Sequence, residues 1–433
     1  MQISSTRRAL FAGGAAAAAI PAGPSLANHR QQTAADGFGL SIASDLERYA
    51  SLGPKCSGGP GDQAVGEWVE ARLRDLGFAT HRQDFSIPFL DTTVANLSCG
   101  NIEVPIWTLP SERSQGAWSF SQEAPFKWLD MPDFPAGAIA VVDLPFRRWS
   151  SASSPEVQAS LTRAVERQAL ALVLITNGPS GETLALNTAV DQGCPIPVFT
   201  LGSRSAAGLR TAIWAGDVAR LDVQANYSRR PAFNVVGQRG GGGQRLVLST
   251  PRSGWFDCVG ERGSGLAAWL AVIEAVQFHS GPITLVCTSG HEWESHGAEH
   301  YLETLAPRPT EVSLWVHFGA NFATRDAHDL GGRLRLLDTA DPQRYLAGSP
   351  DMLDGLRRHF AGQPGLASPY PTSAGAAGEL KNLIEHGYDR VVGVFGAHRF
   401  HHASTDGSET VAPHLVQASA AAFRDFVLDR IDG

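Results

Sequence analysis

Short, wholly apolar runs alternate with amphipathic stretches along most of this chain, the pattern of a sheet buried on both faces and flanked by helices. Arg245 to Thr250, Ile283 to Ser289, Leu314 to Phe318 and Val391 to Phe395 read as buried strands. Leu266 to Gln277, Met352 to Phe360, Glu379 to His386 and Val411 to Leu428 read as the helices between and after them. Upstream, Leu40 to Ser51 and Asp62 to Leu76 are predicted helices, the second with Val65, Trp68, Val69, Leu73 and Leu76 on one face and Gly77 as its stop. Phe78 to Phe89 alternates as a strand pair. The βαβ rhythm predicts an α/β fold with a mostly parallel sheet and helices on both faces.

The texture changes between about Asp91 and Tyr227, where short strands (Ala138 to Leu144, Leu170 to Ile175, Pro195 to Phe199) surround helices at Pro155 to Gln168 and Ala206 to Ala215. This reads as a small inserted module, 91–227, within a main domain made of 28–90 and 228–433. It supplies no convergent set of His, Asp or Glu.

Residues 1–27 carry paired arginines at Arg7 and Arg8, an apolar Ala/Gly run and a small-residue cleavage site at Ser25-Leu26-Ala27. That is a twin-arginine leader and predicts a periplasmic or secreted protein. A polar segment to about Asp36 follows it. Later runs are too short for a membrane span. With a formal charge of -8 and no basic cluster beyond the leader, nucleic acid is not an expected partner. The five cysteines lack CxxC spacing, which argues against a zinc knuckle. Cys258 and Cys287 could form a disulfide or remain two buried thiols.

Three segments carry chemistry. Glu261 lies in a Gly/Ser loop opening a helix, His291-Glu292 follows a buried strand, and His398 to Asp406 follows the strand Val391 to Phe395. Carboxylates and an imidazole brought together from strand ends are a plausible zinc set with an open position. His296, His300 and His317 are spare imidazoles, and Trp255, Trp293 and Phe318 are candidate pocket walls.

These motifs resemble the zinc aminopeptidase and glutamate carboxypeptidase family, metallopeptidase family 28, and 91–227 is similar to its protease-associated insertion. The resemblance rests on Asn234 to Gly237, on Gly260 to Gly265, on His291-Glu292 with Gly297 and Tyr301, and on His402 with Asp406 four residues later. The departures fall on the metal chemistry. Pro251-Arg252-Ser253 stands where the family has His-x-Asp, Glu261 replaces the bridging Asp, His291 replaces the general-base Glu, and another ligand Asp falls near Gly319. The resemblance therefore implies one zinc or other divalent ion on Glu261, Glu292 and His402, as in the related one-zinc glutaminyl cyclases. His291 would be the base. Arg252 would hold a substrate carboxylate or oxyanion, or else pair with Glu261 and silence the site. The implied activity is hydrolysis of an amide or peptide bond in a small substrate. A non-catalytic binding protein and a metal-independent acid/base enzyme are the alternatives.

Overall fold

A computed structural model describes residues 26–111, 114–330 and 333–431. The leader expected at 1–27 therefore lies almost wholly outside the described residues. In chain order the elements are α1 (Leu26–Ser51), α2 (Pro60–Asp75), β1 (Ala79–Cys99), β2 (Ile102–Pro105), β3 (Trp107–Thr108), β4 (Gly116–Trp128), β5 (Ile139–Asp143), α3 (Pro155–Glu166), β6 (Ala171–Thr176) and β7 (Val198–Gly202). After α4 (Ser203–Ala206) and α5 (Arg210–Ala215) come β8 (Val218–Arg239), β9 (Arg245–Pro251), α6 (Ser264–Val276), β10 (Ile283–Thr288), α7 (His296–Thr304) and β11 (Val312–Phe318). The chain ends with β12 (Arg325–Asp329), β13 (Leu334–Ala340), β14 (Arg344–Gly348), α8 (Leu353–His359), β15 (Tyr370–Pro371), α9 (Glu379–Glu385), β16 (Val391–Gly396) and α10 (Pro413–Ile431).

The sheet is mixed, with β10, β9, β11 and β16 parallel at its centre. Alternation along those strands assigns their side chains to two cores. Leu246, Leu248, Leu285, Val316 and Val394 face α1, α2, α6, α8 and α10, whereas Val247, Val286, Trp315 and Val391 face α7 and α9. Helix α6 is apolar all round because the sheet covers one side and α1 and α10 the other. Each large side chain it removes from water, such as Leu266 or Ile273, contributes about 1.5–3 kcal/mol. Gly265 sets how close its first turn comes to β11, since a Cβ there would lie 3.0 Å from the Gly319 carbonyl oxygen.

Two expectations are revised. The stretch beginning at Phe78 is not a strand pair but one 21-residue strand, β1, paired antiparallel along β8 with a bulge between Thr92 and Val94. Helix α1 begins at Leu26, so the segment to Asp36 is helical; Gln31, Gln32, Ala34 and Ala35 are helix formers, with no proline to stop them.

The long β1/β8 ribbon leaves the main sheet and joins β4, which continues into β5, β6 and β7. That second region has its own cores on both faces, one around Leu172 and Leu174 and one around Val141 and Val173. Ala403 of the main body is buried in the first of these, so the 184–188 segment of the second region lies against the carboxyl ends of the central strands. Among the described residues no helix is long and apolar enough to cross a membrane. No disulfide joins Cys258 to Cys287, which are two buried thiols.

Candidate functional site

The site forms where β9, β10 and β16 end. After β9 the chain passes through Cys258, left-handed at φ 38°, into a π-helical turn, Val259–Gly263, that carries Glu261 and Arg262. Asp406 holds this turn, accepting hydrogen bonds from the amides of Gly260 and Glu261, both at 2.9 Å, and from the Thr410 hydroxyl at 2.7 Å. His398 Nε2 lies 3.2 Å from the same carboxylate. A charge at the first turn of α6 thus ties the loop after β16 to the loop after β9.

Three donors converge there. Glu261, His401 and His402 each offer an atom, all within 4.8 Å of one another, and all three are buried. His402 Nδ1 is 3.0 Å from the Ala185 carbonyl oxygen, which can only accept, so Nδ1 carries the proton. Its Nε2 then points at Glu261 Oε1, 3.3 Å away. Two lone pairs face each other there unless a proton or a cation lies between them. The edge of a tetrahedron with metal bonds of ~2.0–2.1 Å is about 3.3 Å. His401 stacks on His402 with centroids 4.0 Å apart, and its Nδ1 lies 3.9 Å from the same oxygen, too far for a hydrogen bond. Glu261 Oε2 and His401 Nδ1 are buried without partners. His402 sits at φ 60°, a costly conformation for a residue with a Cβ, and the Ala185 amide holds its carbonyl oxygen at 3.0 Å.

A second cation is built in. Arg262 Nη2 is 2.6 Å from Glu261 Oε1, its Nε donates to the Ser253 carbonyl at 3.0 Å, and its Nη1 is buried without a partner. Burial alone would push the Glu261 carboxyl up; Arg262, then His401 and His402, outweigh it and hold the carboxyl well below its usual range. Burial keeps His401 well below the ordinary imidazole value and hence neutral. The donor set fits one divalent ion. The Arg262 guanidinium already occupies one oxygen of the Glu261 carboxylate.

His291 Nδ1 is 3.2 Å from Glu379 Oε1, at the start of α9, and the Thr288 hydroxyl contacts both Glu379 oxygens at 2.8 and 2.9 Å. A carboxylate only accepts, so Nδ1 is the protonated nitrogen and Nε2 is left bare. Burial, followed by the charge of Arg262, holds His291 below its ordinary value. For Glu379, burial acts upward but the His291 hydrogen bond and the charges of His291 and His317 prevail, so the carboxyl is lowered. His317 is fully buried, and desolvation takes it down to about 4.

The other expected site residues are placed elsewhere. Glu292 is outside the three-donor group, its carboxylate oxygens taken by the Ser57 amide and by the Ser253 hydroxyl at 2.9 Å; burial pushes its carboxyl up. Arg252 is fully buried and is not paired with Glu261. It pairs with Asp62 at 2.9 Å and donates to the carbonyls of Phe233 and Cys287. His296 and His300 stack on each other beside Phe85, away from the three donors. Trp255 and Trp293 line a narrow cavity of about 60 Å³ with Ser57, Phe89 and Trp107, whereas Phe318 packs in the core against Phe322 and Phe423.

Three participants went unrecognised in the sequence. Arg262 and His401 are immediate neighbours of expected residues, and Glu379 is a lone acid opening a helix after Gly378. Only for the first two did spacing offer a signal.

This architecture recurs in several solved structures. A zinc aminopeptidase from Bacillus subtilis superposes with a TM-score of 0.65 at 15% identity, covering 91% of this chain and 94% of its own. The chain has the zinc-aminopeptidase fold. A peptidase M28 precursor from Shewanella amazonensis SB2B (TM-score 0.66, 15% identity, 93% and 97% covered) and an aminopeptidase from Aneurinibacillus sp. strain AM-1 (0.63, 11%, 90% and 93%) share it. No family model and no curated protein matches the sequence. At such identities the likeness is one of fold.

Proposed function

We propose that this chain is an exported metallopeptidase-like hydrolase that uses one divalent ion, zinc in the first instance, to cleave an amide or peptide bond in a small substrate. The observation that carries this reading is the edge of His402 Nε2 turned toward Glu261 Oε1 at 3.3 Å, with partnerless His401 Nδ1 and Glu261 Oε2 beside it. Glu261, His401 and His402 would hold the ion. A divalent ion in such a set supplies Lewis acidity toward a carbonyl oxygen and brings the pKa of bound water to ~7. The wider fold supports the class of reaction, and the leader at 1–27 supports export to the periplasm or beyond, with 91–227 as a protease-associated-like insertion.

The chain's own groups account for the proton transfers. Glu379 takes the Nδ1 hydrogen of His291 and so fixes the ring with Nε2 free, and the lowered pKa keeps that nitrogen unprotonated at neutral pH. His291 then accepts the proton of the attacking water at Nε2 and returns it to the leaving amine. Segment 184–188 shields the centre from bulk water, Ala185 through His402 and Thr188 through the carbonyl of Glu292.

The test is a panel of dipeptides, amino-acid amides and esters, assayed with zinc, manganese or cobalt after chelator treatment. Turnover that needs a metal and falls at least 100-fold in His291→Ala is expected. A second reading, a binding protein that has kept the crevice and lost the reaction, draws on the burial of the centre: Glu261 is 0% exposed, His402 1% and His401 7%. No turnover on any substrate, together with a melting temperature raised by a ligand, would favour it.

A further inference from the structure

We propose that Arg262 serves the centre as a cation fixed in the protein, neutralising Glu261 through Nη2 and presenting Nη1 to one oxygen of the ligand, either a carbonyl oxygen or a tetrahedral oxyanion. This deepens the reading above. The guanidinium is planar, with its donors in a rigid fork. Here Nη2 is on Glu261 Oε1, Nε is on the Ser253 carbonyl, and Nη1 is left over. Arg262 is 1% exposed, so bulk solvent does not reach that donor, and buried donors without partners are rare in folded proteins. Glu261 Oε2 and His401 Nδ1 are partnerless in the same small region, and a shared ligand space accounts for all three. The fully buried Arg252, by contrast, has its guanidinium nitrogens on Asp62, Phe233 and Cys287.

Two consequences follow from the charge. A small oxyanion gains a charge-assisted donor, stronger than a neutral side chain would offer. A divalent ion must share Glu261 with a permanent positive charge, which weakens its binding.

The probes are inorganic phosphate and zinc, titrated calorimetrically into the full-length protein as wild type, Arg262→Gln and Arg262→Lys. Each is run both metal-free and zinc-loaded, with circular dichroism to establish folding. Phosphate binding by the wild type, weakened at least tenfold in Arg262→Gln and partly retained in Arg262→Lys, is expected, together with a zinc affinity at least tenfold higher in Arg262→Gln. Phosphate binding that is absent from the wild type or indifferent to both substitutions overturns the proposal, as does a zinc affinity that falls in Arg262→Gln. If Arg262→Gln does not fold, Arg262→Lys decides alone: it keeps the charge and loses the fork, so it must weaken phosphate. Zinc that fails to bind the wild type while phosphate still depends on Arg262 would remove the one-metal reading and leave this one standing.

Discussion

Arg262 Nη2 lies 2.6 Å from Glu261 Oε1, and both side chains are about 1% exposed. Taking either partner away strands the other as an unpaired charge out of water, which costs more than the pair contributes. Arg262→Met is therefore expected to destabilise the metal-free protein by about 3–5 kcal/mol. The double variant Arg262→Met with Glu261→Gln should recover most of that loss. Urea denaturation of the three proteins checks this.

Asp406 is the second fixed point. Asp406→Asn keeps the size but turns an amide donor toward either the Glu261 amide or the Gly260 amide, each of which now finds a carboxylate oxygen at 2.9 Å. A loss of roughly 2–3 kcal/mol in urea denaturation is expected, as for a hydrogen bond to a charged group left unmade. Unchanged stability would mean that the turn holds itself.

His291, His317 and His401 are all held below the ordinary imidazole value, burial first among the causes. In each case the unfolded chain binds the proton more readily than the folded one. Their contribution is thus complete above ~6.5 and is lost as pH falls from there toward the folded value, about 4 for His317. For His317 that window is worth roughly 3 kcal/mol. The raised carboxyl of Glu292 titrates in the opposite sense. Denaturation between pH 7 and pH 4 should show His317→Asn gaining stability relative to the wild type as pH falls, by a slope difference of about one proton.

Much of this protein could be read from its sequence, and the part that could not has a physical cause. Apolar runs such as Ile283 to Thr288 mark buried strands because they are short and rich in β-branched residues, whereas the longer buried run of α6 is helical. Gly260 to Gly265 likewise marks the turn that carries Glu261. Which arginine meets that carboxylate was not legible. Arg262 adjoins Glu261 and Arg252 stands nine residues before it, but only the fold pairs the first with Glu261 and the second with Asp62. Glu292 looked like a ligand from its neighbours, yet Ser57 and Ser253, distant in sequence, draw it away. His401 stands beside Glu261 instead, stacked on His402, which is left-handed at φ 60°.

Glu379 raises the pKa of His291 through its hydrogen bond and its charge, against burial and Arg262, which lower it. With a substrate from the panel, the rising limb of the pH-rate profile should therefore lie below ~6.5 in the wild type and move to lower pH in Glu379→Gln. A limb that moves upward or stays in place would mean that His291 is not the base.

The most direct measurement is calorimetric titration of zinc into the metal-stripped mature protein and three variants. One ion per wild-type chain, with affinity reduced at least 100-fold in His401→Ala and in His402→Ala and kept in Glu292→Gln, is the predicted result. Two ions, no ion, or binding that survives His401→Ala but fails in Glu292→Gln would contradict a single centre on Glu261, His401 and His402.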